Sequence, residues 1–204
     1  GADLEERSRE GAKPSRHGRG TALHMAASYS NFEAAKLLLE AGADVNASTQ
    51  LPTPNRGATP LFCAVYSFAA SASPKLVSLL LEAGADVTLK VAVDFGDGWG
   101  LYFDTVLGYY ASGIDARADV VKMLLDAGAD PNVQDTLYGR TPLHNVALLD
   151  GHEGVEIGKL LLENGADPLL VEYENGDTTL ELAKVFSKDQ DLIDLLTEAT
   201  EKAL

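Results

Sequence analysis

The side chains of this 204-residue sequence with a capacity for chemistry are four histidines, one cysteine and a few closely spaced aspartates. A histidine acts as a general base or a metal ligand only when a suitable partner is placed beside it. His24 closes the tetrad Thr21-Ala22-Leu23-His24 and His144 closes Thr141-Pro142-Leu143-His144, so two of the four share one local pattern. His17 lies in a basic arm and His152 beside Glu153; both read as solvated. Cys63 stands alone, which excludes an internal disulfide and a cysteine zinc cage. No base lies near it in sequence to make it a nucleophile. Asp94-Phe95-Gly96 spells a kinase tripeptide, but the glycine-rich loop, strand lysine and catalytic-loop motif that would give it meaning are missing. Asp94, Asp97 and Asp104 could meet across a hairpin around calcium, yet they lack the Asp-x-Asp-x-Asp-Gly spacing of a calcium loop and read as solvated turn aspartates. No catalytic residue, cofactor or metal site is predicted.

Composition narrows the partners. An apolar fraction of 46% with 23% charged residues belongs to a folding chain rather than a disordered one. A net charge of −15 repels phosphate backbones and anionic lipid headgroups, so nucleic acid is not an expected partner. The minority sign gathers in the first twenty residues, as Arg7, Arg9, Lys13, Arg16 and Arg19 among four acids, and reads as a solvated arm. No apolar run approaches the roughly 20 residues of a membrane span, and no signal-peptide pattern opens the chain. With a single cysteine this leads to an expected cytoplasmic location, the nucleus being the alternative, with no direct membrane insertion. Asn46-Ala47-Ser48 is a glycosylation sequon of the kind that arises by chance.

The elements that must position these residues are set by repetition. Gly-Ala-Asp recurs at 42–44, 84–86, 128–130 and 165–167. A helical phrase precedes each: Lys36-Leu37-Leu38-Leu39-Glu40, Ser78-Leu79-Leu80-Leu81-Glu82, Lys122-Met123-Leu124-Leu125-Asp126 and Lys159-Leu160-Leu161-Leu162-Glu163. A threonine-led signature opens each unit, at Thr21, Thr59, Thr141 and Thr178, and more weakly at Thr105. Threonine at an N-cap accepts an orphan backbone N–H, and Pro60 or Pro142 fits the first helical position, where no N–H is needed. The glycine of Gly-Ala-Asp ends the second helix in the left-handed region. Five helix pairs follow: 21–29 with 32–41, 59–69 with 74–83, 105–112 with 117–127, 141–149 with 154–164, and 178–186 with 189–202. One pair cannot bury its own leucines, so the pairs must stack on their neighbours.

This pattern resembles the ankyrin repeat, in which Thr-Pro-Leu-His opens the first helix and Leu-Leu-Leu-x-x-Gly-Ala-Asp closes the second. The resemblance runs from Thr21 to about Leu204. It implies an all-α solenoid of helix-turn-helix units with extended β-hairpin fingers, and an imidazole at His24 and His144 that hydrogen-bonds neighbouring backbone. The domain would span 21–204, in units of about 21–56, 57–102, 103–138, 139–175 and 176–204. The last is expected to be a C-terminal cap, because Asp191, Asp194, Thr197, Glu198 and Glu201 give it a polar exterior. Residues 1–20 read as an N-terminal arm or the end of a preceding repeat, and Gly1-Ala2-Asp3 as the last triplet of that repeat or an expression scar.

Departures from the family length of about 33 residues locate insertions. From the Gly of Gly-Ala-Asp to the next Thr the loops measure 17, 21, 13 and 13 residues, so the extra length sits in the N-terminal fingers. In the longest, period two from 87 to 94 predicts a strand with Val87, Leu89, Val91, Val93 and Phe95 on one face. Gly96-Asp97-Gly98 supplies a turn, and Leu101-Tyr102-Phe103 returns antiparallel. Phe95, Trp99, Tyr102, Phe103, Tyr109 and Tyr110 crowd this segment. They serve either as a contact surface or as packing for a finger with no other core.

The family arrangement turns Met25, Ser28, Tyr29, Cys63, Tyr66, Ser67, Tyr109, Asn145, Leu148 and Leu149 toward a concave groove. The expected function is protein–protein interaction through that groove and the fingers, without enzymatic activity. The candidate partner-binding residues are Tyr29, Tyr66, Phe95, Asp97, Trp99, Tyr102, Tyr109, Tyr138 and Asn145. The partner would carry basic or mixed polar surface around an apolar anchor. Two alternatives stand beside this. One is a cytosolic regulatory domain of a larger protein such as a channel, since Trp99-Gly100-Leu101-Tyr102-Phe103 is similar to the long finger of vanilloid-type channels. The other is a small-molecule binder or enzyme using an aromatic pocket of Tyr66, Trp99, Tyr102 and Tyr109.

Overall fold

The structure, a computed structural model, describes residues 4–5, 20–49, 55–66, 72–93, 102–113, 115–148 and 152–204. Among them the chain is a succession of helix pairs. These are α1 (Ala22–Ser28) with α2 (Phe32–Glu40), α3 (Pro60–Val65) with α4 (Pro74–Glu82), α5 (Val106–Ala111) with α6 (Ala118–Asp126), α7 (Pro142–Val146) with α8 (His152–Glu163), and α9 (Thr179–Phe186) with α10 (Gln190–Ala203). Three short strands, β1 (Asn55–Arg56), β2 (Val91–Val93) and β3 (Tyr102–Asp104), complete an otherwise helical repeat fold.

The chain divides into two compact units, 1–106 and 107–204. In the first, α1 packs on α2 and α3, and α4 on α2 and α3, around Leu23, Leu61, Phe62, Leu76 and Leu80. In the second, α8 packs on α6, α7 and α10, and α9 on α7 and α10, around Leu124, Leu143, Ile157, Leu161, Leu192 and Leu196. The middle leucine is wholly buried in three of the four helical phrases, as Leu80, Leu124 and Leu161. Removing such a side chain from water stabilises the fold by about 1.5–3 kcal/mol.

The pairs begin and end as their sequences dictate. Thr59 and Thr178 accept the N–H groups of Phe62 and Glu181, and Pro60 and Pro142 occupy the first turn. At the other end Gly42, Gly84, Gly128 and Gly165 all sit at φ of 89 to 92°. The Gly42 and Ala43 amides donate to the Leu39 and Leu38 carbonyls at 3.0 Å, satisfying two orphan acceptors. A Cβ on any of these four glycines would meet nothing within 4 Å, so backbone conformation alone requires them.

Each loop then follows one plan. The aspartate of Gly-Ala-Asp accepts the N–H two residues on: Asp44 from Asn46, Asp86 from Thr88, Asp130 from Asn132 and Asp167 from Leu169, at 2.8 to 2.9 Å. This turn overrides the period-two pattern of the second finger. Of the expected strand 87–94, residues 91–93 form β2, Val87 and Thr88 lie instead in the Asp86 turn, and Asp94 lies outside the described residues. The return strand is present as β3, paired antiparallel in the register Val91↔Asp104, Ala92↔Phe103 and Val93↔Tyr102. β1, from the first finger, joins the other edge of β2.

Five residues past that aspartate each loop closes on the residue just before the threonine. Thr49 N donates to Ala58 O at 2.9 Å, Val91 pairs with Asp104, and the amides of Asp135 and Glu172 donate to Arg140 O and Asp177 O at 3.0 Å. The differing finger lengths all lie beyond this closure.

Neighbouring loops are also tied to each other. Asn46 donates from Nδ2 to Gly84 O at 3.0 Å and accepts the Asp86 N–H at 2.8 Å. Asn132 makes the same two bonds to Gly165 O and Asp167 N, both at 2.8 Å. The equivalent residue of the second loop is Thr88, whose hydroxyl turns to its own Asp86 at 2.7 Å.

Candidate functional site

His24 and His144 are structural ties. His24 is wholly buried. Its Nδ1 accepts the Thr21 N–H at 3.1 Å, which leaves the proton on Nε2, and Nε2 lies 2.9 Å from Ala58 O in the next unit's loop. His144 repeats the first half, with Nδ1 accepting the Thr141 N–H at 3.2 Å. Its Nε2 is buried without a hydrogen-bond partner among the described residues. Burial holds the His144 imidazole below its ordinary value, against the opposing pull of the Asp177 backbone and the Glu172 charge.

Cys63 and Ser28 do not reach a groove surface as the family arrangement implied. Both are wholly buried, Ser28 donating to His24 O at 2.8 Å. The close contact of α1 with α3 encloses them. Burial pushes the Cys63 thiol up to about 12, against the lesser effect of the Ser28 hydroxyl, so the thiolate needed for nucleophilic work does not form at neutral pH. Asn145 is buried and donates to Gly108 O at 3.1 Å, tying α7 to α5.

The other predicted contact residues separate into groups. Tyr29, ending α1, is 62% exposed. Tyr66 and Tyr109 are half-buried, and Tyr66 stacks on Phe62 with centroids 6.0 Å apart. Tyr102 lies in β3, and Phe95, Asp97 and Trp99 lie outside the described residues. Asp104 is buried with an oxygen 2.7 Å from the Thr105 amide, and among the described residues no cluster of His, Cys, Asp or Glu could hold a metal. Tyr110 is buried too, its oxygen accepting the Arg117 N–H at 3.2 Å, which anchors the turn into α6.

Tyr138 stands at the third fingertip with the Arg140 guanidinium 4.5 Å from its ring centre. Its carbonyl accepts the Tyr173 N–H at 2.7 Å, which couples it to the fourth fingertip. The Tyr173 ring lies so close to Gly139, at φ +67°, that a Cβ there would come within 2.3 Å of it. Gln134 reinforces the pair, donating to Gly139 O and Val171 O at 2.6 and 2.9 Å. Beneath the tips two carboxylates organise the backbone. Asp135 accepts the amides of Leu137, Tyr138 and Arg140 at 2.7 to 3.0 Å. Glu172 accepts those of Glu174 and Asn175 at 2.7 and 2.6 Å. Burial would raise the Glu172 carboxyl, but the ring of amide donors outweighs it and holds the group below its usual range.

Sequence reasoning missed Tyr173, Val185 and Phe186, which are 64, 72 and 57% exposed. The signal was available, since Val185 and Phe186 stand four and five residues after Glu181, the histidine slot of the last unit. Among described residues of the second unit the exposed large apolar side chains are Tyr138, Val171 and Tyr173 on the fingers, Leu148, Val185 and Phe186 at the ends of first helices, and Leu204. A separate groove of about 410 Å³ runs between α8 and α10, floored by Leu162 and Leu195 and rimmed by Lys159, Glu163, Glu198 and Lys202. Residues 107–204 hold 7 Lys and Arg against 19 Asp and Glu, so most of the chain's negative charge lies in this unit. No described helix is long and apolar enough to cross a membrane.

Comparison with known proteins agrees with this geometry. A family model described as ankyrin repeats (3 copies) matches residues 6–91 and 108–203. The chain is 43% identical over 82 residues to the neurogenic locus Notch protein of Drosophila melanogaster, covering 40% of this chain and 3% of that protein. It is 43% identical over 67 residues to the human 2-5A-dependent ribonuclease, covering 33% of this chain and 8% of that protein. The human neurogenic locus notch homolog protein 1 is 40% identical over 81 residues, 40% of this chain and 3% of that protein. The chain thus corresponds to a small fraction of the length of each of these relatives.

Proposed function

This chain belongs to the ankyrin repeat family, whose domains typically mediate protein–protein interaction rather than catalysis, and from that premise we propose that it binds a protein partner through the first-helix ends and fingertips of residues 107–204. The observation that carries the reading is the placement of exposed apolar side chains. Six of the seven large ones described in this unit, Tyr138, Leu148, Val171, Tyr173, Val185 and Phe186, sit on fingers or at first-helix ends. Tyrosines held by neighbouring backbone lose little freedom on binding, which suits them to contact surfaces. The acidic excess favours a partner with basic surface around an apolar anchor, and association should slow as salt rises.

The test compares proteins captured from cell extract by the parent chain and by a Tyr173→Asp, Phe186→Asp double variant. Both side chains are exposed, so the fold should persist, verified by an unchanged circular dichroism spectrum. Loss of the captured proteins in the variant supports the reading. Recovery of the same set by both chains refutes it.

A further inference from the structure

The second helices of the first four pairs carry the same leucine phrase, yet one of them buries it differently. Leu80, Leu124 and Leu161 are wholly buried, whereas their counterpart Leu38 is only half-buried. On α2 Ala35 is buried and the neighbouring Leu37 is 65% exposed, while α4 buries Leu76, Val77 and Leu80. The last helix, α10, meets solvent with Asp191, Asp194, Glu198 and Glu201, the polar exterior a terminal repeat requires. α2 presents leucine instead.

A second observation says what belongs there. In the two Asn-tied loops the aspartate of Gly-Ala-Asp donates its N–H to a side chain of the preceding loop: Asp86 to Asn46 and Asp167 to Asn132, at 2.8 Å. Each of these asparagines stands two residues after a Gly-Ala-Asp aspartate. Asp44 donates its N–H in the same way, to Glu5 Oε1 at 3.0 Å, and Glu5 stands two residues after Asp3 of Gly1-Ala2-Asp3. Glu5 therefore supplies for the first loop the acceptor half of the tie that Asn46 and Asn132 make for later ones.

We propose that the outer face of α2, with Leu37 and Leu38 at its centre, is the docking surface for one more ankyrin-type helix pair, supplied by chain that precedes Gly1 and enters through Gly1-Ala2-Asp3. This stands apart from the partner-binding reading, since it concerns a different unit and the stacking of like on like.

The experiment joins a copy of residues 21–41 directly ahead of Gly1, so that Gly1-Ala2-Asp3 closes the added pair as Gly42-Ala43-Asp44 closes the original. Amide exchange in residues 34–40 should slow about tenfold or more relative to the parent chain, because a half-open helix becomes an enclosed one. Leu37→Glu should leave the urea midpoint of the parent unchanged and remove the gain in the extended chain. Three results overturn the proposal. The first is unchanged exchange across α2 after extension. The second is equal loss from Leu37→Glu in both chains, which would make Leu37 part of the existing core. The third is a parent chain that sediments as a dimer and becomes monomeric with Leu37→Glu, which would make a second copy the occupant.

Discussion

Asn132 joins one loop to the next through two hydrogen bonds, so its substitution probes the polar coupling between repeats. Its Nδ2 donates to Gly165 O and its Oδ1 accepts the Asp167 N–H, both at 2.8 Å, in a partly exposed position. A net 0.5–1.5 kcal/mol per bond, taken toward the lower half because water can replace the partner, gives about 1–2 kcal/mol for Asn132→Ala. Asn132→Asp should lose at least as much. It keeps an acceptor for the Asp167 amide, but loses the donor and sets a third carboxylate beside Asp130 and Asp167. Asn46→Ala, which removes the matching bonds to Gly84 and Asp86 at 3.0 and 2.8 Å, should fall in the same range. Thr88→Ala should cost less than either, since its hydroxyl bonds only within its own loop. Urea denaturation followed by circular dichroism gives the totals, and amide exchange at Asp167 and Asp86 gives the local effect, expected to quicken about 5- to 30-fold. An Asp167 amide that exchanges in Asn132→Ala as it does in the parent would refute the coupling. So would a Thr88→Ala loss equal to that of Asn132→Ala.

Three further outcomes follow from the packing, the titrations and the backbone. Leu124→Ala should cost about 2–5 kcal/mol through a core cavity, whereas Phe186→Ala should stay within about 0.5 kcal/mol; equal shifts in urea midpoint would contradict the assignment of Phe186 to the surface. Because the His144 imidazole is held below its ordinary value, the unfolded chain takes up the proton first. Stability should therefore fall as pH drops below about 6.5, by at most about 1.4 kcal/mol per unit. The depressed Glu172 carboxyl adds a separate loss only at lower pH, beginning below about 4.5, so a melting temperature that rises between pH 7 and 5.5 would count against the His144 part. Ser30 holds φ 51° between α1 and α2, a region costly for a residue with a Cβ, and Ser30→Gly should raise stability by up to about 1 kcal/mol. A lower urea midpoint would show that its side chain matters more than its backbone.

The helix pairs were legible because their signals are local. A threonine cap, a first-turn proline and a left-handed glycine act within one turn of the helix they bound, and leucines three and four apart mark the buried side. The candidate surface was less legible. The family arrangement that placed Ser28, Cys63 and Asn145 in a groove counts positions along a helix but not what the neighbouring helix does: α1 and α3 pack closely where Ser28 and Cys63 are buried, and Asn145 is taken up by its bond to Gly108 O. The strand at 87–94 was misjudged for a related reason. Alternation describes which side chains could share a face, but the Asp86 carboxylate captures the Thr88 amide and turns the chain before the pattern takes effect. Tyr173 gained its place from Gly139, a residue of another finger, and no spacing within its own finger could reveal that.

The common closure at the base of every finger separates two tasks. Thr49 with Ala58, Val91 with Asp104, Asp135 with Arg140 and Glu172 with Asp177 anchor the ends of segments that run from four to twelve residues. Whatever lies between such anchors can lengthen, shorten or change composition while the helices below keep their spacing. Recognition can thus diversify in the fingers without renegotiating the core beneath each of them, and foreign peptides spliced between these residue pairs should be displayed with little penalty to the scaffold.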